Sequence, residues 1–275
     1  MRYILVESAA IRIEIRTARG DMQLTENSCG EFLYLLPRIV RKSIDARASL
    51  NRYIACRRAE GKIKMDTLET ERALYEKGYY AVAGVDEVGR GPLAGPVVCA
   101  AVILPLEEET RISGIDDSKK LSPKKREALA VLIKERARAY CIAEVDEKTI
   151  DEINILQATR LCMKKAVEGL SVPPDFVLTD GNMKLDISFA QKSIVKGDAT
   201  VCSIGAASIL AKTYRDGLMK EYDKMYPHYG FARNMGYGTA EHIRAIGEKG
   251  LCAIHRRTFT TKFSASKGNP PLADT

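Results

Sequence analysis

The chain has 275 residues and 45% hydrophobic residues, enough to bury a large core and typical of one large domain with a smaller addition. It has no apolar run near the roughly 20 residues of a membrane helix and no secretion-signal pattern at its start, so we expect a cytoplasmic protein without a membrane partner. The seven scattered cysteines form no CxxC pair, which argues against a disulfide framework and a zinc site.

The charge balance favours an anionic partner. The formal net charge is +7 and the isoelectric point is near 8.9, so a basic surface would attract phosphate and release its counterions. Because many basic proteins bind nothing anionic, the motifs must decide whether nucleic acid is the partner.

The first 78 residues are interpreted as an N-terminal extension. An alternation of isoleucine with charged residues over 11–16 predicts a short strand. Met22 is an alternative start, which would make residues 1–21 an over-extended reading frame. The segment 31–78 has a helical composition and ends at Gly78, so we expect a small helical module.

A second domain is predicted over residues 79–262. Two apolar, β-rich segments around a Gly-Pro turn predict paired strands, and Ser122 with Pro123 predicts the start of a helix reaching about residue 139. Strands at 139–146, 176–180 and 193–195 then alternate with helices at 152–169 and 200–225. This order predicts a mixed α/β sheet covered by helices, followed by a disordered tail over 263–275.

Four acids follow or interrupt apolar strands. Asp86 and Glu87 lie within the apolar segment AGVDEVGRG, where adjacent strand residues point to opposite faces. Burying such an acid is costly unless a cation neutralises it, although a hydrated strand end or an ion pair with lysine is an alternative. Asp180 and Asp198 each follow a strand; a turn acid and a helix N-cap are the respective alternatives. Together, the four acids favour hard divalent cations such as Mg²⁺ or Mn²⁺.

A glycine motif follows the paired acids. Gly89, Arg90, Gly91 and Ala94 fit the loose dinucleotide fingerprint GxGxxA, but Pro92 and a β-rich run stand where that fold needs a helix. Two interpretations remain: close backbone approach to a ligand with Arg90 near a phosphate, or an ordinary tight turn.

Other polar groups have weaker signals. The segment SKKLSPKKR surrounds a helix start and indicates either a phosphate contact or a solvated helix face. Tyr237, between two glycines, either stacks on a sugar or base or packs on the surface. His228, His242 and His255 are not spaced for a metal site and are predicted to be surface or capping groups.

The motifs resemble those of the bacterial ribonucleases HII, in the same order, from Tyr79 to Phe259. The segments that carry the resemblance are GVDEVGRGPLAGPVV, DDSKKLSPKKRE, DEINILQAT, TDG, KGDA, SILAKTYRD, YGFARNMGYGTAEH and HRRTF. The resemblance implies a ribonuclease H-like fold and assigns catalysis and metal binding to Asp86, Glu87, Asp180 and Asp198. It implies that Gly89, Arg90 and Gly91 read the ribose 2′-hydroxyl and that Tyr237 packs against the next sugar. The remaining substrate-binding or supporting positions that it implies are Ser118, Lys119, Lys120, Lys212 and Arg215.

The resemblance also implies an activity. Such enzymes hydrolyse the RNA strand of RNA–DNA hybrids and nick on the 5′ side of single ribonucleotides in duplex DNA, using two Mn²⁺ or Mg²⁺ ions and leaving 5′-phosphate and 3′-hydroxyl ends. One alternative is a type III-like enzyme that needs several ribonucleotides, but that type lacks the arginine found here at Arg90. The other is a non-catalytic hybrid binder, which the four intact acids disfavour. The extension is predicted to add grip on the hybrid through Arg41, Lys42, Arg57 and Arg58.

Overall fold

A computed structural model describes residues 4–6, 13–17, 20–24, 68–106, 112–115 and 118–264. The chain divides into two units, residues 1–66 and 67–275. In the first unit, β1 (Ile4–Val6), β2 (Ile13–Thr17) and β3 (Gly20–Leu24) form an antiparallel sheet in that order. The strand predicted at 11–16 is therefore present as β2.

Most of the predicted helical module and most of the predicted tail lie outside the described residues. The last helix of the predicted module, α1 (Glu69–Tyr75), belongs to the second unit. Its Glu71 is buried, and its Oε1 accepts a hydrogen bond of 2.8 Å from the backbone N–H of Ser203. This hydrogen bond ties the helix to the rest of the second unit.

The second unit is built on a five-stranded mixed sheet. Its strands are β4 (Val82–Val88), β5 (Val97–Ile103), β6 (Ala139–Val145), β7 (Phe176–Asp180) and β8 (Ala190–Ile194). Their order is β6-β5-β4-β7-β8, with β4, β5 and β6 antiparallel and β4, β7 and β8 parallel. The predicted mixed α/β sheet, opened by a pair of strands, is confirmed.

Helices cover both faces of this sheet. They are α2 (Pro123–Arg136), α3 (Glu147–Glu168), α4 (Gly197–Thr200), α5 (Cys202–Met225), α6 (Phe231–Asn234), α7 (Ala240–Lys249) and α8 (Arg257–Ser264). The predicted cap of α2 is confirmed, because the Ser122 side chain accepts from the N–H of Lys125. In the described part of the chain, no helix is both long and apolar enough to cross a membrane.

Strand β5 shows how the sequence builds two cores. All of its residues are buried, and successive side chains point to opposite faces. Val97, Cys99 and Ala101 join the core formed with α3, whereas Val98 and Ala100 join the core formed with α2 and α5. A strand buried on both faces reads as a continuous apolar run, which is the pattern that the sequence shows.

Gly84 lets α5 lie directly against β4. A Cβ added at Gly84 would lie 2.2 Å from the backbone carbon of Ser203 and 2.3 Å from the nitrogen of Ile204. Only a glycine permits this close approach. Because Asp86 lies two residues further on, it points to the same face of the sheet as the missing side chain of Gly84, towards α5.

Candidate active site

The four acids come together at one edge of the sheet. Strands β4 and β7 are parallel neighbours, with Val85 paired to Thr179, so Asp86 and Asp180 follow at adjacent positions. Asp198 lies on α4, immediately after β8, the next strand across. The ends of parallel strands meet at a common edge, which is why three separate sequence segments contribute to one site.

Asp86 is the most deeply buried of the four. It is only 5% exposed, and burial raises its pKa well above the usual value for aspartate, with further increases from the charges of Glu87 and Asp180. A hydrogen bond from Ser208 on α5 and one of 2.8 Å from the N–H of Glu87 oppose this shift. The protein therefore holds a carboxylate where ionisation is unfavourable without added positive charge.

Glu87 lies on the other face of β4 and has a nearby cation. Burial raises its pKa, and the charge of Asp180 adds to that increase, while Arg90 lowers it. The Nη1 of Arg90 lies 3.3 Å from Oε1 of Glu87. Because the arginine side chain is 45% exposed, this pair is screened by water and contributes little to stability.

The carboxylate of Asp180 caps the start of α4, whereas the sequence suggested helix capping as an alternative role for Asp198. Its Oδ1 accepts from the N–H of Gly197 at 2.7 Å and from the N–H of Asp198 at 3.5 Å, at the start of α4. Lys196 precedes them with a positive φ of 58°, which aims both N–H groups at the carboxylate. Oδ2 of Asp198 accepts a hydrogen bond of 3.5 Å from Nζ of Lys119.

The described carboxylates do not close on a single point. Among the described residues, no three aspartate, glutamate, histidine or cysteine side chains are arranged to hold a metal ion as they stand.

The glycine motif and Tyr237 lie side by side. A Cβ added at Gly91 would lie 3.6 Å from Cε1 of the Tyr237 ring, and nothing else would come within 4 Å. The ring is 46% exposed, and Gly91 itself is exposed. Exposed backbone and an exposed aromatic ring therefore lie next to each other, beside the strand that carries Asp86 and Glu87.

Comparison with known proteins shows the family of this chain. A family model described as ribonuclease HII matches residues 83–262. A ribonuclease HII from Acetivibrio thermocellus is 48% identical over 229 residues, covering 83% of this chain and 84% of that protein. This chain belongs to the ribonuclease HII family.

Solved structures show the same fold. Ribonuclease H2 from Pyrococcus horikoshii OT3 superposes with a TM-score of 0.60 at 27% identity, over 68% of this chain and 98% of that one. A Bst-RNase HIII solved in complex with Mn²⁺ gives a TM-score of 0.56 at 16% identity, over 96% of this chain and 92% of that one. As a ribonuclease HII, the protein is a ribonuclease H hydrolase, an endonuclease that acts on the RNA of RNA–DNA hybrids.

The loop of this ribonuclease HII that carries Lys119 and Lys120 is stabilised by hydrogen bonds from the buried Arg126. Arg126 donates to the carbonyls of Ser118 (3.2 Å) and Leu121 (3.3 Å) and pairs with Asp216 at 2.9 Å. Lys212 also pairs with Asp216, at 2.5 Å. Lys212 thus belongs to the network that supports the loop. Lys119 lies on the exposed part of the loop, and 79% of its side chain is accessible to solvent.

Two of the residues predicted as substrate-binding or supporting, Arg215 and Ser118, lie in supporting positions. Arg215 is fully buried, and its guanidinium donates to the carbonyls of Ala94 (3.1 Å), Pro96 (3.0 Å) and Met235 (3.0 Å), so it cannot reach a phosphate. Ser118 is buried as well, and its hydroxyl lies 2.9 Å from that of Ser208, the residue that hydrogen-bonds Asp86. Both side chains support the site from inside.

Two histidines were misassigned. His242 and His255 are buried, and their Nε2 atoms lie 3.0 Å apart. Nδ1 of His242 hydrogen-bonds the carbonyl of Tyr237 at 2.9 Å, which fixes the loop that carries the tyrosine. Sequence spacing gave no sign of this pair, because the two residues come from different elements that meet only in the folded chain.

Two further residues escaped sequence reasoning. Ser208 stands in an unremarkable small-residue stretch of α5, and its role depends on the close approach at Gly84. Arg256 looks like half of a surface basic pair but is fully buried against the glycine loop. Its acceptors are backbone carbonyls, which carry no sequence signature.

Proposed function

We propose that this ribonuclease HII nicks duplex DNA on the 5′ side of a single embedded ribonucleotide, leaving 5′-phosphate and 3′-hydroxyl ends. The observation that supports this is that the exposed backbone of Gly91 lies beside the exposed ring of Tyr237, next to the strand that carries Asp86 and Glu87. A backbone contact to one 2′-hydroxyl and a ring contact to the following sugar would require one ribose rather than a run of them. Gly89, Arg90 and Gly91 would contact the 2′-hydroxyl, and Tyr237 the following sugar.

We further propose that Asp86, Glu87, Asp180 and Asp198 hold two divalent cations, Mg²⁺ or Mn²⁺. An all-oxygen donor set fits these hard ions, and because burial raises the pKa values of Asp86 and Glu87, a bound cation would favour their ionised forms. The side chains would have to move together to bind them. When bound, such ions supply positive charge where the phosphodiester oxygens become more negative. The Mn²⁺ complex of a protein with the same fold supports this choice of ion.

The protein's own cations have distinct tasks in this proposal. Arg90 and Lys119 have exposed side chains at the edge of the acid cluster, where each is available to a phosphate of the bound strand. Lys120 extends the same loop. Asp86, held by Ser208, and Asp180, held by the α4 amides, are the fixed points of the site.

Cleavage of a labelled duplex with one ribonucleotide tests both proposals, in Mg²⁺, Mn²⁺ or chelator. We expect nicking only with metal, directly 5′ of the ribonucleotide, and loss of at least 1000-fold in Asp86→Asn, about 4 kcal/mol of the barrier. Asp186→Asn is the matched control, because Asp186 is a fully exposed acid paired only with Lys164 at the surface. Cutting of a long hybrid alone would instead identify a type III-like specificity, and binding without cutting a non-catalytic protein.

The N-terminal extension is proposed to add grip on the hybrid through Arg41, Lys42, Arg57 and Arg58, which form two basic pairs in the sequence. A chain that starts at Thr67 retains the whole second unit and is the appropriate comparison. We expect it to bind hybrid more weakly, with a shallower dependence of affinity on salt. Equal affinity and an equal salt slope would rule out this role.

A further inference from the structure

The loop between β4 and β5 turns its carbonyls towards a buried arginine. Arg256 is 0% exposed. Its Nε and Nη2 donate to the carbonyl of Gly95 at 2.9 and 2.7 Å, and Nη2 also donates to that of Gly89 at 2.6 Å. Its Nη1 donates to the carbonyl of Arg90 at 2.9 Å. One side chain therefore forms hydrogen bonds with both ends of the loop.

These hydrogen bonds fix the orientation of the peptide units that follow Gly89 and Arg90. The described residues contain no cis peptide bond, so the carbonyl and the N–H of each unit point in opposite directions. The carbonyl of Gly89 shares a unit with the N–H of Arg90, and the carbonyl of Arg90 shares one with the N–H of Gly91. Because Arg256 draws both carbonyls inward, the two N–H groups face outward, on the exposed side near Tyr237.

We propose that Arg256 is a positioning residue that presents the N–H groups of Arg90 and Gly91 to the ribose 2′-oxygen and so sets the preference for ribose over deoxyribose. The inference rests on the proposed function of the glycine motif. A deoxyribose offers no acceptor at this point, so two aligned donors would lose their water without gaining a partner. Arg256 acts through the loop and does not touch the substrate.

The charge of Arg256 strengthens this effect. Burial, together with the charge of Arg215, lowers its pKa to about 9, so it remains a cation at neutral pH. A cation bonded to a peptide carbonyl polarises the whole unit and makes its N–H a stronger donor. A planar guanidinium also reaches three carbonyls at fixed angles, which the single ammonium of a lysine cannot do.

The adjacent Arg257 provides a matched control. It is exposed, whereas Arg256 is buried, and the two residues have the same charge and composition. Replacing either by lysine keeps the net charge constant. Any difference between Arg256→Lys and Arg257→Lys therefore reports the loop geometry and not long-range electrostatics.

The test measures discrimination and not activity alone. Steady-state nicking of a duplex with one ribonucleotide gives KM and kcat, and the same duplex made entirely of DNA is added as a competitive inhibitor to give Ki. We expect the ratio of Ki to KM to fall at least 10-fold in Arg256→Lys and to stay within twofold of wild type in Arg257→Lys. A merely destabilising change would lower the active fraction and leave this ratio unchanged.

The outcomes separate the two ideas. No nicking by the wild-type protein would overturn the proposed function and this inference with it. Nicking by the wild type, with an unchanged ratio in a folded Arg256→Lys, would overturn the role of Arg256 alone. If that variant does not fold, amide NMR of the wild type in chelator decides: we expect the Arg90 and Gly91 signals to shift more with the ribonucleotide duplex than with DNA, and equal shifts would refute the proposal.

Discussion

Replacing Gly89 or Gly91 by alanine should affect different properties of the protein, stability in the first case and cleavage in the second. Gly89 has a φ of +90°, and an added Cβ would lie 2.3 Å from Nε of the buried Arg215 and 2.9 Å from the carbonyl oxygen of Pro96. Gly91 has no positive φ, and its added Cβ would meet only the Tyr237 ring, at 3.6 Å, an ordinary contact distance. The first substitution strains the fold, whereas the second only places a methyl group over the backbone that is proposed to contact the ribose.

The expected magnitudes follow from these contacts. At Gly89, alanine costs about 1–2 kcal/mol for the left-handed backbone and roughly 1.5–3 kcal/mol for displacing the charged hydrogen bond from Arg215 to Pro96. The total of about 2.5–5 kcal/mol corresponds to a Tm lower by roughly 5–20 °C in a unit of this size. At Gly91, the free energy of unfolding should change by no more than about 1 kcal/mol, in either direction.

Thermal or urea unfolding of both variants, followed by nicking assays, measures the contrast. Gly91→Ala should remain as stable as wild type yet lose about 100-fold in kcat/KM, about 2.7 kcal/mol, because the methyl group covers the backbone that is proposed to contact the ribose. Gly89→Ala should unfold at a lower temperature than wild type. Wild-type cleavage by Gly91→Ala would refute the ribose contact at Gly91, and an unchanged Tm for Gly89→Ala would refute the packing of the loop on Arg215.

Three further predictions follow from buried charges. Asp86→Asn should abolish nicking but raise the free energy of unfolding in chelator by about 1–2 kcal/mol, because it removes a buried charge repelled by its neighbours. Calorimetry with and without Mg²⁺ should show that the metal stabilises only the wild type. His255, with a pKa lowered from 6.5 to about 4 by burial and by His242, stays neutral when folded but takes up a proton when unfolded, so stability should fall by roughly 1.6 kcal/mol from pH 6.5 to 5. Urea titrations should show a shallower fall in His255→Gln; equal slopes would contradict this. Glu71→Ala should cost about 1–2 kcal/mol by leaving the Ser203 N–H uncapped, and a variant as stable as wild type would show that the cap is dispensable.

Local sequence signals located the elements and the acids. The run Phe176–Asp180 was bounded correctly, because it lies between a proline pair and a glycine turn, and Ser122 with Pro123 marked the start of α2. The helix α3 begins five residues before its predicted start, since Asp146 caps it and the chain kinks at Asn154, whose φ is 65°. Local rules could not anticipate that two helical segments would join across this kink.

The sequence by itself determined the chemistry available to this protein: four carboxylates next to apolar strands, a glycine motif with an arginine, and an order of motifs specific to one family. Only the tertiary structure decided which polar residues are exposed at the site and which are buried beneath it. Arg215, Arg256 and His242 bind backbone carbonyls, and any residue type can provide such an acceptor. A buried arginine and a surface arginine therefore look alike in the sequence, and they differ only in what the folded chain places around them.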